Sequence, residues 1–74
     1  MTAHELDAQG LLCPLPVLKA RKRLQDLKSG EVLKLIATDP ASVIDVAHFC
    51  TGEGHVLVSH ETEKDRHIFR IRRK

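Results

Sequence analysis

Aromatic side chains are nearly missing from this chain. It has no tryptophan and no tyrosine, and Phe49 and Phe69 are its only phenylalanines. Modules that hold single-stranded nucleic acid stack bases on aromatic platforms, so the scarcity argues against that class. The net charge of +2 is also milder than a nucleic-acid binder usually carries, and no direct sequence-specific nucleic-acid binding is expected. No apolar run is long enough for a membrane helix, and the N-terminus has no signal-peptide pattern. A cytoplasmic address without a membrane partner is the resulting expectation. Glycine loops that cradle phosphate are missing, and so is any acid–base dyad. His4, His48, His55, His60 and His67 stand at no zinc-site spacing with Cys, Asp or Glu, so no metal and no cofactor is expected. Cysteine is sparse too, with Cys13 and Cys50 alone. Without an export signal, two reduced thiols are a better reading than a disulfide.

Seventy-four residues allow one domain, taken as 1–74, with a thin core. Leu6-Asp7-Ala8 reads as an edge of a first strand, and Gly10 as a turn. Pro14 stands where a first helical residue would be, with Cys13 before it as cap. At helical spacing Val17, Ala20, Leu24 and Leu27 share an arc roughly 80° wide, with Lys19, Lys22 and Asp26 opposite. That amphipathic helix is expected to stop at Ser29-Gly30. Val32 to Ala37 is apolar at nearly every position and reads as a strand covered on at least one face. Asp39-Pro40 predicts a second helix start, with Asp39 as cap and Pro40 at the first position. Val43, Ile44, Val46, Ala47 and Cys50 are placed on one face of that helix, and Gly52 and Gly54 end it. His55 to Glu61 and Arg66 to Arg72 alternate as strands, with Thr62 to Asp65 as a hairpin turn. The fold class is therefore an α/β two-layer sandwich, β-α-β-α-β-β, with two helices on one face of a four-stranded mixed sheet.

The chemistry centres on Cys13-Pro14-Leu15-Pro16. A cysteine at a strand end and helix N-terminus lies where partial positive charge favours a thiolate. Neither proline has an N–H, which leaves the Leu15 N–H as the expected first donor to the sulfur. The expectation is an acidic, exposed thiol able to carry a sulfur atom as a persulfide. Leu15 and Leu18 project away from the core stripe on the Cys13 side. Together with Lys19, Arg21, Lys22 and Arg23 they form a candidate partner-docking surface, the basic residues steering approach and adding positive potential near the thiol. Cys50 reads as core packing.

Leu6-Asp7-Ala8, Gly10-Leu11 and Cys13-Pro14-Leu15-Pro16-Val17 resemble the start of TusA/SirA-like proteins. Thr38-Asp39-Pro40-Ala41, Phe49-Cys50 and Ile71-Arg72 resemble the later signatures of that family, in the right order over nearly the whole chain. Many relatives place a basic or polar residue before the cysteine, where this chain has Leu12. The resemblance implies a two-layer sandwich and a sulfurtransferase in the limited sense of a persulfide carrier. Cys13 would accept sulfane sulfur from a cysteine desulfurase or other persulfide donor, with Pro14 and Pro16 as its frame. It would then pass the sulfur to an acceptor protein, toward 2-thiouridine in tRNA or toward molybdenum-cofactor, iron–sulfur or sulfur-oxidation pathways. A carrier moving between enzymes works best as a monomer. The alternative is a non-enzymatic redox or regulatory module in which Cys13 senses oxidants or binds a partner.

Overall fold

The structure is a computed structural model that describes residues 4–74. Its elements are β1 (His4–Ala8), α1 (Leu15–Gln25), β2 (Val32–Ala37), α2 (Ser42–Glu53), β3 (Val56–Glu63) and β4 (Arg66–Arg72). The element order is the one the periodicities predict. Strand β1 pairs with β2 in parallel, as a strand–helix–strand crossover requires. Strands β3 and β4 form the antiparallel hairpin, and the sheet order is β1-β2-β4-β3. The hairpin thus inserts its last strand beside β2 and leaves β3 at the edge. Burial explains the choice. Strand β4 contributes Ile68, Phe69 and Ile71 as buried residues, whereas Val56 and Val58 of β3 are exposed. A strand with that much apolar surface gains most from neighbours on both sides. The opposite edge, β1, is short and carries exposed Glu5 and Asp7, which discourage pairing with another chain.

The core lies between sheet and helices. Ala8, Leu33, Leu35, Ala37, Phe69 and Ile71 meet Ala20, Leu24 and Leu27 from the α1 side and Val46 and Cys50 from α2. Each fully buried leucine here contributes about 1.5–3 kcal/mol through area removed from water.

Several boundaries differ from the sequence expectation, each for a local reason. Helix α1 begins at Leu15 with Pro14 as its N-cap residue, so Cys13 does not cap it, and the Cys13–Pro14 peptide bond is cis. The inward stripe starts at Pro16, which is fully buried, while Val17 is only half-buried. A ring without an N–H loses no hydrogen bond in the first helical turn, so Pro16 can serve as a core residue there. Helix α1 ends at Gln25, earlier than Ser29-Gly30. The Asp26 and Leu27 N–H groups reach back only three residues, to Arg23 and Leu24, and tighten the chain out of the helix. Arg73 Nε then donates to the Leu24 carbonyl at 2.8 Å.

Helix α2 starts at Ser42, not at Asp39-Pro40. The Asp39-Pro40 pair forms a turn instead, in which the Ser42 N–H donates to the Asp39 carbonyl at 2.9 Å. On α2 only Val46 and Cys50 of the five predicted face residues are buried. Val43 is half-buried, and Ile44 and Ala47 point outward. At 100° per residue the five span too wide an arc for one helix to bury against the sheet. The hairpin turn contracts to Lys64-Asp65, with Lys64 in the left-handed region at φ 56. A bulge between Leu57 and Ser59 interrupts the alternation of β3.

Candidate functional site

Cys13 lies on the loop between the C-terminal end of β1 and α1. Gly10, at φ 80, turns the chain away from β1, and its N–H donates to Thr38 Oγ1 at 2.9 Å. Asp39 then fixes the next segment. Its Oδ2 accepts the Cys13 N–H at 2.6 Å and its Oδ1 accepts the Ala41 N–H at 3.0 Å. One carboxylate therefore clamps the loop that carries the cysteine to the lead-in of α2. This use of Asp39 is why it does not cap the helix as expected.

The sulfur is exposed and faces α2. Together Cys13, Pro14 and Val17 with Ile44, Asp45, His48 and Phe49 line a shallow groove of about 530 Å³. The expected donor to the sulfur is engaged elsewhere, because the Leu15 N–H donates to the Leu12 carbonyl at 2.8 Å. The thiol is itself the donor, to Asp45 Oδ2. That bond, helped by slight desolvation and by the negative charges of Asp45 and Asp39, raises the thiol above the ordinary cysteine value of 9.0. These neighbours act against the expected acidic thiol, since each of them raises it. The physical reason is that the closest charges are two carboxylates, while the Leu15 N–H is committed to the Leu12 carbonyl instead of the sulfur. Asp39 is shifted the other way, below 3.8, by the Cys13 and Ala41 N–H groups.

The motif residues divide by role. Pro14 borders the groove, Pro16 is core, and Leu15 is 45% exposed. Leu12 is 70%, Leu18 50% and Ile44 65% exposed. The basic residues are not one patch. Lys19, Lys22 and Arg23 border a separate concavity with Leu6 and Asp26, while Arg21 lies beside Glu53. None of the four lines the Cys13 groove, so the positive potential expected at the thiol is replaced by negative charge. Cys50 is 3% exposed, and burial pushes its thiol up to about 11, as a packing residue should behave. Among the described residues no group of three or more His, Cys, Asp or Glu is placed to hold a metal.

Sequence reasoning missed Asp45, Ile44, His48 and Phe49 as neighbours of Cys13. Their only local signal is that Asp45 breaks the apolar run of α2 one turn from its start. Pairing it with Cys13, 32 residues away, requires the packing of α2.

Residues 4–73 match the family described as sulfurtransferase TusA. The sulfur carrier protein TusA of Pseudomonas syringae pv. syringae (strain B728a) is 44% identical over 70 residues, covering 95% of this chain and 83% of that protein. The sulfur carrier protein TusA of Pseudomonas entomophila (strain L48) is 44% identical over 69 residues, covering 93% and 86%. A SirA-like protein from Desulfitobacterium hafniense shares the fold with a TM-score of 0.81 at 26% identity, over 92% of this chain and 93% of that one. The mixed four-stranded sheet under two helices, the Cys-Pro-Leu-Pro loop at its edge and these similarities agree, and the chain belongs to the TusA family of sulfurtransferases.

Proposed function

We propose that this protein carries sulfur as a persulfide on Cys13. The observation that supports the reading most is the contrast between its two thiols. Cys13 is exposed at the mouth of an open groove, and Cys50 is buried in the core. One accessible thiol suits a carrier, because no neighbouring thiol can collapse the persulfide to a disulfide. It favours a redox switch less, because such a switch commonly has a resolving cysteine within reach.

In the loading step the Cys13 thiolate attacks the outer sulfur of a donor persulfide, R–S–SH. The donor S–S bond breaks, a new S–S bond forms on Cys13, and the donor leaves as a thiol after taking a proton. In the unloading step an acceptor thiolate attacks the outer sulfur of Cys13–S–SH and takes it, restoring the Cys13 thiol. Neither step changes the net oxidation state, so no cofactor is called for. The donor is a cysteine desulfurase or another persulfide enzyme in the cytoplasm. The acceptor is a protein of a sulfur-transfer pathway, with tRNA 2-thiouridine synthesis the destination that the family resemblance suggests. Leu15 and Leu18, with Lys19 and Lys22 nearby on α1, form the docking face.

Mass spectrometry after incubation with a cysteine desulfurase and cysteine tests the reading. The wild type gains the mass of one sulfur atom, Cys13→Ser gains none, and Cys50→Ala retains the gain. Sulfur on Cys50 alone, or no gain at all, overturns it.

A further inference from the structure

The groove sets a thiol that must ionise against a carboxylate that opposes ionisation. Among the described residues, the charged and titratable groups facing Cys13 can be named. Asp39 comes from the turn before α2, Asp45 and His48 come from α2, and α1 contributes only the apolar Val17. The two carboxylates differ. Asp39 is occupied by two backbone N–H groups. Asp45 has no ion-pair partner among the described residues, and its hydrogen bond there is from Cys13. It is therefore the unneutralised charge of the groove. Around it stand Ile44, Val17 and half-buried Phe49, a wall that a docking surface would dry.

Drying the groove strengthens every charge interaction inside it. A partner that covered Asp45 with neutral or acidic groups would bury an unpaired carboxylate, at a cost. A partner that brought a cation would pair Asp45 and also withdraw it from the sulfur. We infer that Asp45 is a charge lock on Cys13: it holds the sulfur protonated while the carrier is free, and a lysine or arginine of the docking partner opens the lock. This rests on Cys13 being the sulfur-bearing residue. It adds that Asp45 is a positioning residue for the transfer, and that the partner surface facing the groove is cationic. The same carboxylate repels the persulfide anion, so a loaded carrier favours giving its sulfur up over storing it. Release of the free carrier's sulfur to stray thiols is limited in turn, since an approaching thiolate meets the same negative charge.

The test needs no partner. Alkylation of the full chain by neutral iodoacetamide is followed from pH 6 to 11, on Cys50→Ala protein so that one thiol reports. Asp45→Asn is expected to move the midpoint to lower pH and to speed the reaction at pH 7 by roughly threefold, because a tenfold gain in thiolate is partly offset by lower nucleophilicity. Asp45→Glu, which restores the charge, is expected to keep its midpoint above that of the Asn variant. A second readout compares cationic and anionic methanethiosulfonate reagents at equal concentration. The parent protein should favour the cationic over the anionic reagent by roughly twenty-five-fold at low salt, since one unit charge at contact distance in water attracts the one and repels the other by about fivefold each, and Asp45→Asn should lose most of that preference. Unchanged circular dichroism and urea midpoint establish that each variant is folded. Equal midpoints and equal reagent preferences for parent and Asp45→Asn overturn the lock, as does an equal shift in the Glu and Asn variants. Because alkylation does not depend on what Cys13 carries, failure of the lock is separable from failure of the carrier reading, which mass spectrometry decides.

Discussion

Asp39 joins the cysteine loop to the start of α2, and its ionisation is therefore coupled to folding. Its folded value is depressed by the N–H groups of Cys13 and Ala41. Glu31 is depressed as well, chiefly by the Lys28 N–H at 2.6 Å and then by His4. His55 is lowered by burial first and by Lys74 next. The sign is the same for all three groups. Each binds a proton more readily in the unfolded chain, so its contribution to stability is present above the ordinary value and is lost as pH falls toward the folded value. Stability should therefore decline in two stages on acidification. The first begins below about 6.5 with His55, and the second below 4.5 and 3.8 with Glu31 and Asp39. Urea midpoints measured from pH 8 to 3 check this. His55→Ala should flatten the first stage and leave the second, whereas a rise in stability between pH 6.5 and 5 would contradict the assignment.

At the scale of elements, the two glycines near the end of α2 make opposite predictions. Gly52 lies inside the helix with open space where a Cβ would go. Gly54 is the C-cap at φ 81, and a Cβ there would stand 3.3 Å from Lys74 Cδ. Gly52→Ala should stabilise the protein by about 0.5–1 kcal/mol through lower backbone entropy of the unfolded chain. Gly54→Ala should destabilise it by about 1–2 kcal/mol, since an L-residue is forced into the left-handed region. Paired urea denaturation measures both, and equal signs would refute the argument. These positions also show what sequence can and cannot reveal. Element order was legible because alternation over His55 to Glu61 and Arg66 to Arg72, and helical spacing over Val17 to Leu27, are local signals. Helix starts were not, because Asp39 looks like a cap until the Cys13 N–H is known to occupy its carboxylate. The insertion of β4 between β2 and β3 was invisible for the same kind of reason, as it depends on which strand has more apolar surface to cover. The proposal of Cys13 as the sulfur-bearing residue rests on local signals, its prolines and its position. Its ionisation could not, since Asp45 reaches it only through the packing of α2 across the groove.

The whole molecule separates its charges in a way that bears on how a partner arrives. Acidic Asp39 and Asp45 surround the thiol, while Lys19, Lys22 and Arg23 lie together on the outer side of α1. Arg23 is partly committed, donating to the Glu5 carbonyl at 3.0 Å, but Lys19 and Lys22 are exposed and make no ion pair among the described residues. Leu15 and Leu18 are exposed on the same helix. If α1 is the docking face proposed above, such an arrangement divides the work of docking. Long-range attraction through the lysines raises the encounter rate and is screened within about 10 Å at 0.1 M salt. Leucines that become dry at the interface slow departure and are insensitive to salt. With a cysteine desulfurase as the bound partner, Lys19→Gln with Lys22→Gln should lower the association rate roughly threefold to tenfold at low salt, with the difference vanishing near 0.5 M. Leu15→Ser with Leu18→Ser should instead raise the dissociation rate at every salt concentration and leave the salt slope unchanged. Both pairs are solvent-facing, so neither should move the urea midpoint by more than about 0.5 kcal/mol in free energy. Surface plasmon resonance across a salt series separates the two arms. If the leucine variant changed only association, or the lysine variant lost nothing at low salt, α1 would not be the face that partners meet, and the groove at Cys13 would have to be approached from the α2 side alone.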